Sequence, residues 1–265
     1  MNERRRAAPK ALSPAVRSTE AGTMSARGWF VSGTDTEVGK TTVTAGLLVA
    51  LAARGLRFAP VKPLAAGQAQ DASGRWFNED VRALHIAQSL DLGEDEVGPL
   101  QWRHAVAPHI AAQLEQRPIR RDAVLASVQR LAGRGDGLLV EGVGGFCVPL
   151  LPGWTTADLA DEIGLPVLLV VGLRLGCINH ALLTAEAVLA RGLPLAGWVG
   201  NTLDPHMAQR EAVLATLAES LDAPCWGVLP RLPDPTAAAV AEHLDLSQAL
   251  AGLQPKEADP CSTRS

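Results

Sequence analysis

Residues 31–43 read VSGTDTEVGKTTV. The close of that stretch, Gly39-Lys40-Thr41, carries the chemistry of a phosphate-binding loop. The glycine admits a close backbone approach, the lysine meets terminal phosphates, and the hydroxyl ligates Mg²⁺. The spacing is irregular, because five residues, Thr34 to Val38, separate Gly33 from Gly39. That is one more than the common G-x-x-x-x-G-K-[ST] pattern allows. A chance Gly-Lys-Thr is the competing reading; an apolar strand before the loop and a helical pattern after it weigh against chance. Main-chain amides of residues 36 to 41 would turn inward on phosphate oxygens, helped by the positive end of the following helix. The extra residue enlarges the crown of the loop, keeps its cradle, and makes room for Thr36 and Glu37 to face a second substrate.

Other side chains fall where they would meet such a phosphate. Lys62 ends an apolar run in PVKPLAAG; a solvated lysine is the ordinary alternative. Glu141 closes the run LLVEG beside a glycine-rich turn. A carboxylate there is costly to bury unless it binds something, and a metal or bound water is its natural partner. Asp80, in FNEDVRAL, either offsets the dipole of a first helical turn or joins the site; the sequence leaves both readings open. The glycine turn in RLGCINH precedes a helix whose first amides would hold an anion; an ordinary helix start explains it equally well. His180 and the other histidines show no metal-ligand spacing.

These residues need a scaffold that brings strand ends together. Short apolar runs alternate with longer helical patterns from Gly28 onward. Strands are expected at 29–33, 57–64, 137–145, 165–173, 195–201 and 225–230. Helices are expected at 41–55, 78–90 (capped by Asn78), 120–135, 178–192, 206–221 and, for the most part, 234–250. The run LPVLLVVGL (165–173) is apolar enough to be buried on both faces. Such alternation implies right-handed βαβ units: an α/β fold, a largely parallel sheet flanked by helices, in one domain over 28–253. Ligands of these sheets sit beyond the carboxyl ends of the strands. Trp29, Trp198 and Trp226 fall on strands and read as core.

Composition narrows the class. The chain has 265 residues with a net charge of −4, so no basic face draws nucleic acid in bulk. No apolar run reaches the roughly 18 residues that would span a membrane. The four cysteines, Cys147, Cys177, Cys225 and Cys261, form no C-x-x-C pair. Each reads as a small buried apolar residue in a reducing cytoplasm. The polar, Arg- and Ala/Pro-rich stretch 1–27 and the segment 254–265 are expected to be disordered tails.

Taken in order, GTDTEVGKT (33–41), KPLAAG (62–67), APHIAAQLEQRPI (107–119), VEGVGG (140–145), LGCINHALLTAE (175–186) and GWVGN (197–201) give the chain a strong resemblance to the dethiobiotin synthetases. These are P-loop enzymes that use ATP to close the ureido ring of dethiobiotin. The resemblance spans about residues 28 to 235. It implies 7,8-diaminopelargonic acid, CO₂ and ATP as substrates, with ADP and phosphate released, and a homodimer with the active site at its interface. It further implies that Glu37, Val38, Gly39, Lys40, Thr41 and Thr42, with Gly142, Val143 and Gly144, surround the phosphates. Mg²⁺ would be held by Thr41, Asp80 and Glu141. Lys40 and Lys62 would neutralise the carbamate and the γ-phosphate as the catalytic lysines, and Thr36 and Glu37 would border both substrates. Asn201, Thr202, Leu229, Pro230 and Arg231 would cradle the adenine. The amides of the partner subunit's Cys177, Ile178 and Asn179 would take the substrate carboxylate.

Two departures from that family's pattern stand out. Its K-P-x-x-S-G serine, whose hydroxyl contacts substrate, is Ala66 here, so that bond is either absent or supplied from elsewhere, by Thr36 or by water. The Asp that often follows the adenine-site asparagine is Thr202, which predicts looser selection among nucleotide bases. Two other readings compete. An amidoligase of the same superfamily would need a glutamine-hydrolysing domain for which the chain has no room. A ParA/MinD-like ATPase switch would carry an early lysine in its loop, where this chain has Asp35, and often an amphipathic membrane helix at its end.

Overall fold

The computed structural model describes residues 27–251. The expected tails, Arg27 apart, lie outside the described residues. Six strands form one parallel sheet: β1 (Gly28–Gly33), β2 (Phe58–Val61), β3 (Gly137–Gly145), β4 (Val167–Leu173), β5 (Leu195–Thr202) and β6 (Cys225–Leu229), in the order β6-β5-β4-β1-β3-β2. Successive strands run to one side of β1 and then to the other. The reversal falls around β1, and that places the ligand crevice at its carboxyl end. Every residue of β1, β2 and β4 is buried, as a sheet covered on both faces requires.

Eight helices matter for the site and its support: α1 (Lys40–Ala52), α2 (Glu79–Ala87), α3 (Pro108–Leu114), α4 (Arg121–Leu131), α5 (Thr156–Ile163), α6 (Cys177–Ala190), α7 (Arg210–Ser220) and α8 (Ala237–Ala241). Helix α1 is apolar on nearly all sides, and that is the signature of a helix buried in the molecule rather than laid over it. Its Gly46 lets α8 approach: a Cβ there would lie 2.3 Å from a Val240 methyl. Asn78 caps α2 as expected, its side chain accepting the Val81 N–H at 3.1 Å. The main core cluster joins the central strands to α1, α4 and α5. A second cluster, built from Leu169, Val171, Trp198, Leu217 and neighbours, fills the layer under α6 and α7. Trp29 stacks on Phe58 at 5.5 Å and meets the edge of Trp226 at 5.0 Å; with Trp198 these tryptophans are core.

The differences from the sequence-based expectations have local causes. Strand β2 stops at Val61, just ahead of the Lys62-Pro63 pair. The expected helix 234–250 is broken because Leu244 bridges Gly227 and the Asp245 N–H bonds the Trp226 carbonyl, which docks this segment on β6. Helix α5 begins with a Thr155–Asp158 capping box. The cysteine reading holds only in part. Cys177 is buried, whereas Cys147 and Cys225 are exposed because each lies outside the packed layers, in a turn and at a strand start; Cys261 lies outside the described residues.

Candidate active site

The loop from Thr34 to Gly39 leaves β1 and folds back over the strand ends. Its Thr34 N–H bonds the Val170 carbonyl of β4 at 3.0 Å. Val38 is buried and anchors the loop to the core. The Asn201 side-chain amide, at the end of β5, donates to the Val38 carbonyl at 2.9 Å. Gly39 adopts φ +89°, and a Cβ there would lie 2.2 Å from Asn201 Nδ2; the position requires glycine on both counts. Glu37 also takes a left-handed φ of 57°, a conformation uncommon outside glycine that clusters at binding sites. Among the described residues the N–H groups of residues 37 to 42 bond no protein acceptor, which leaves them for an anion. The Thr36 N–H differs from the expectation: Asp35 Oδ1 accepts it at 2.8 Å.

Lys40 and Lys62 lie under this loop. Lys40 is buried, and its Nζ donates to the Asp35 carbonyl at 3.1 Å. Burial first, and then repulsion from Lys62, lower its pKa to about 8. Lys62, directly after β2, is only 4% exposed, so it is not the solvated lysine of the ordinary reading. Its ammonium lies 2.6 Å from Glu141 Oε1 and 2.8 Å from Asp80 Oδ2. Burial by itself would lower the Lys62 pKa, but the two carboxylates outweigh it and raise it above its ordinary value. For Asp80, burial works upward and is outweighed by Lys62, which holds the carboxyl below its usual range. The sequence left Asp80 between two readings; its carboxylate takes part in this cluster while also standing in the first turn of α2.

Glu141 is held in β3 opposite Val31 of β1 and is 1% exposed. The Thr41 hydroxyl donates to its Oε1 at 2.6 Å, while its Oε2 is buried with no partner. An orphaned buried carboxylate oxygen is costly. With the Thr41 hydroxyl and the half-exposed Asp80 carboxylate close by, the donor set is all oxygen, the kind that suits a hard divalent cation also liganded by phosphate and water. No cluster of three or more His, Cys, Asp or Glu residues suited to a metal occurs among the described residues.

Above this cluster opens a cavity of about 740 Å³. Thr36, Glu37, Gly39, Lys40, Thr41 and Thr42 line one wall; Lys62, Ala66 and Asp80 line another; Val143 and Gly144 close it below. Gly142 continues β3 beyond Glu141. The remaining positions do not line the cavity. Asn201, Thr202, Leu229, Pro230 and Arg231 lie at or just beyond the ends of β5 and β6. Thr202 is buried, and its hydroxyl donates to the Leu229 carbonyl at 2.6 Å. Its hydroxyl is therefore engaged with the neighbouring strand. Cys177, Ile178 and Asn179 open α6 away from the cavity, and the Cys177 N–H is already bonded to the Arg174 carbonyl at 3.0 Å.

Two parts of the wall were not read from sequence. Asn78, beyond capping α2, donates to the Gly67 and Ala66 carbonyls at 2.9 and 3.3 Å, tying the Asp80 helix to the segment after Lys62. The rim Ala105–Pro108 is held by Glu115, which accepts the Arg103 and His104 N–H groups at 2.6 and 3.0 Å. Asn78 was legible only as a helix cap. Nothing in the spacing of Glu115 signals its partners.

A family model described as an AAA domain matches residues 27–239. The chain is 52% identical over 228 residues to the ATP-dependent dethiobiotin synthetase BioD of Pseudomonas paraeruginosa, covering 85% of this chain and 99% of that protein. It is 49% identical over 220 residues to the protein of the same name from Aromatoleum aromaticum, covering 83% and 97%. It is 47% identical over 227 residues to that of Cellvibrio japonicus, covering 86% and 99%. Similarity to the solved MinD cell division protein of Aquifex aeolicus is distant, at 17% identity and a TM-score of 0.49 over 86% of this chain and 98% of that one, and supports no functional inference. Identity at this level across nearly the whole length of those enzymes places the chain in the ATP-dependent dethiobiotin synthetase family.

Proposed function

We propose that this protein joins 7,8-diaminopelargonic acid, CO₂ and ATP into dethiobiotin, ADP and phosphate in the cavity between the nucleotide loop and Lys62. One substrate amine adds to CO₂ and loses a proton, giving a carbamate. A carbamate oxygen then attacks the γ-phosphorus and displaces ADP, forming a carbamic–phosphoric anhydride. The second amine attacks the anhydride carbonyl, phosphate leaves, and the ureido ring closes. No protein nucleophile is required, so the work of the protein is positioning and neutralising charge.

The amides of residues 37 to 42 receive the phosphates, and Lys40 exchanges its hold on the Asp35 carbonyl for them. Lys62, kept cationic by Glu141 and Asp80, faces the carbamate and the transferred phosphoryl group. Thr41, Asp80 and Glu141 would hold Mg²⁺, which neutralises developing phosphate charge when bound. Thr36 and Glu37, exposed at the crown, border both substrates, and Thr36 supplies the hydroxyl absent at Ala66. Asn201 and the Leu229–Arg231 segment receive the adenine.

The working unit in this reading is a homodimer in which the partner subunit's α6 turn meets the substrate carboxylate. Leu175, 97% exposed beside that turn, and the exposed Leu183 and Leu189 on α6 give it an apolar surface to cover. The unpaired thiols of Cys147, Cys177 and Cys225 suit a reducing cytoplasm. The switch reading fares poorly, because the position its lysine would occupy is Asp35, ion-paired to Arg174.

The observation that carries this function is Lys62 locked between two carboxylates beside an anion-ready loop. Its test is ADP release from a mixture of protein, bicarbonate, Mg²⁺ and ATP, with and without the diamine. Release that depends on the diamine is expected; equal turnover without it would overturn the assignment.

A further inference from the structure

Asp35 has no role in the reaction as described, yet its groups bond three ways. Its carbonyl accepts Lys40 Nζ at 3.1 Å, its Oδ1 accepts the Thr36 N–H at 2.8 Å, and its Oδ2 meets Arg174 Nη2 at 2.7 Å. A carboxylate on the crown of a phosphate loop repels the incoming anion, so its placement calls for a reason. Arg174 follows β4 directly and belongs to the turn that opens α6; its own carbonyl accepts the Cys177 N–H at 3.0 Å. The same two segments touch again where Thr34 bonds Gly172 at 3.4 Å and Val170 at 3.0 Å. Asp35 and Arg174 are 46–47% exposed, and a half-exposed pair adds little to stability. What it does is connect two segments 139 residues apart.

We infer that Arg174 is a positioning residue: its pairing with Asp35 ties the nucleotide loop to the α6 turn, so that phosphate docking in one subunit adjusts the anion-binding turn offered to the other. When phosphate draws Lys40 away from the Asp35 carbonyl, Asp35 shifts, and Arg174 carries that shift to the Arg174–Cys177 turn. By linkage, the diamine carboxylate bound at that turn tightens the nucleotide loop in return. This rests on the dimeric reading above, in which the turn serves the neighbouring active site.

The test measures diamine affinity by calorimetry, with and without MgADP, in the wild type, Arg174→Gln, Asp35→Asn and the double variant. MgADP lacks the phosphate that would touch the carbamate, so direct ligand contact does not mimic the coupling. In the wild type, MgADP is expected to tighten diamine binding by about fivefold or more. In each single variant the factor should fall below about twofold, and the double variant should match the singles. Arg174→Lys, which keeps the charge, should recover part of the factor. The full factor persisting in Arg174→Gln would overturn the inference, as would a wild type that turns over the diamine but shows no MgADP effect. A wild type without diamine-dependent turnover would instead reject the proposed function itself.

Discussion

Lys62→Ala is expected to lower dethiobiotin formation at least a hundredfold. Loss of one preorganised group that stabilises transition-state charge costs about 10²–10³ in rate. Lys62 is the buried cation between Glu141 and Asp80, and among the described residues no other lysine is ion-paired to those carboxylates. The variant should also lose stability. Glu141, 1% exposed, would be left with the Thr41 hydroxyl as its one partner, and removing one member of a buried pair costs about 3–5 kcal/mol. For a domain of this size that is on the order of 10 °C in melting temperature. Mg²⁺ with ADP should return part of it, because the cation replaces the missing charge. Melting curves in chelator and in MgADP check the second effect. Unchanged turnover would remove Lys62 from the mechanism.

The second large effect is expected for Glu141→Gln. The amide keeps the shape and can still accept from Thr41, but it removes the negative charge. If Glu141 contributes to the cation site through its unpartnered Oε2, turnover should fall about a hundredfold. The Mg²⁺ concentration for half-maximal activity should rise at least tenfold, while ADP binding in the absence of metal changes little. Activity titrated against Mg²⁺ separates these effects. A half-maximal Mg²⁺ concentration equal to that of wild type would exclude Glu141 as a ligand.

The order of the six sheet strands was legible because each is a short apolar run, and six helices read as separate periodic segments; α3 and α5 were not read from the sequence. Their ends were legible less often. The segment after Thr236 reads as one helix, yet Leu244 is drawn into a bridge with Gly227, a contact across the fold that no local pattern contains. The phosphate loop was legible because its chemistry lies within a few consecutive residues. The Lys62–Glu141 pair spans 79 residues, so the sequence offered two candidates at strand ends and no reason to join them. Spatial order supplied that reason: β2 and β3 are neighbours in the sheet, and their carboxyl ends point the same way. Thr202 marks the opposite case. Its place in the sequence suggested a position beside the base, and nothing local signals that its hydroxyl bonds the Leu229 carbonyl of β6. Asp35 and Arg174 each looked ordinary alone, and only the fold brings them together.

The most direct test is a crystal structure of the protein with Mg²⁺ and a non-hydrolysable ATP analogue. The expected result has the triphosphate bonded by the amides of residues 37 to 42, Lys40 moved from the Asp35 carbonyl onto phosphate, and the outermost phosphorus facing Lys62. A triphosphate bound away from this loop, or a terminal phosphate turned from Lys62, would contradict the mechanism.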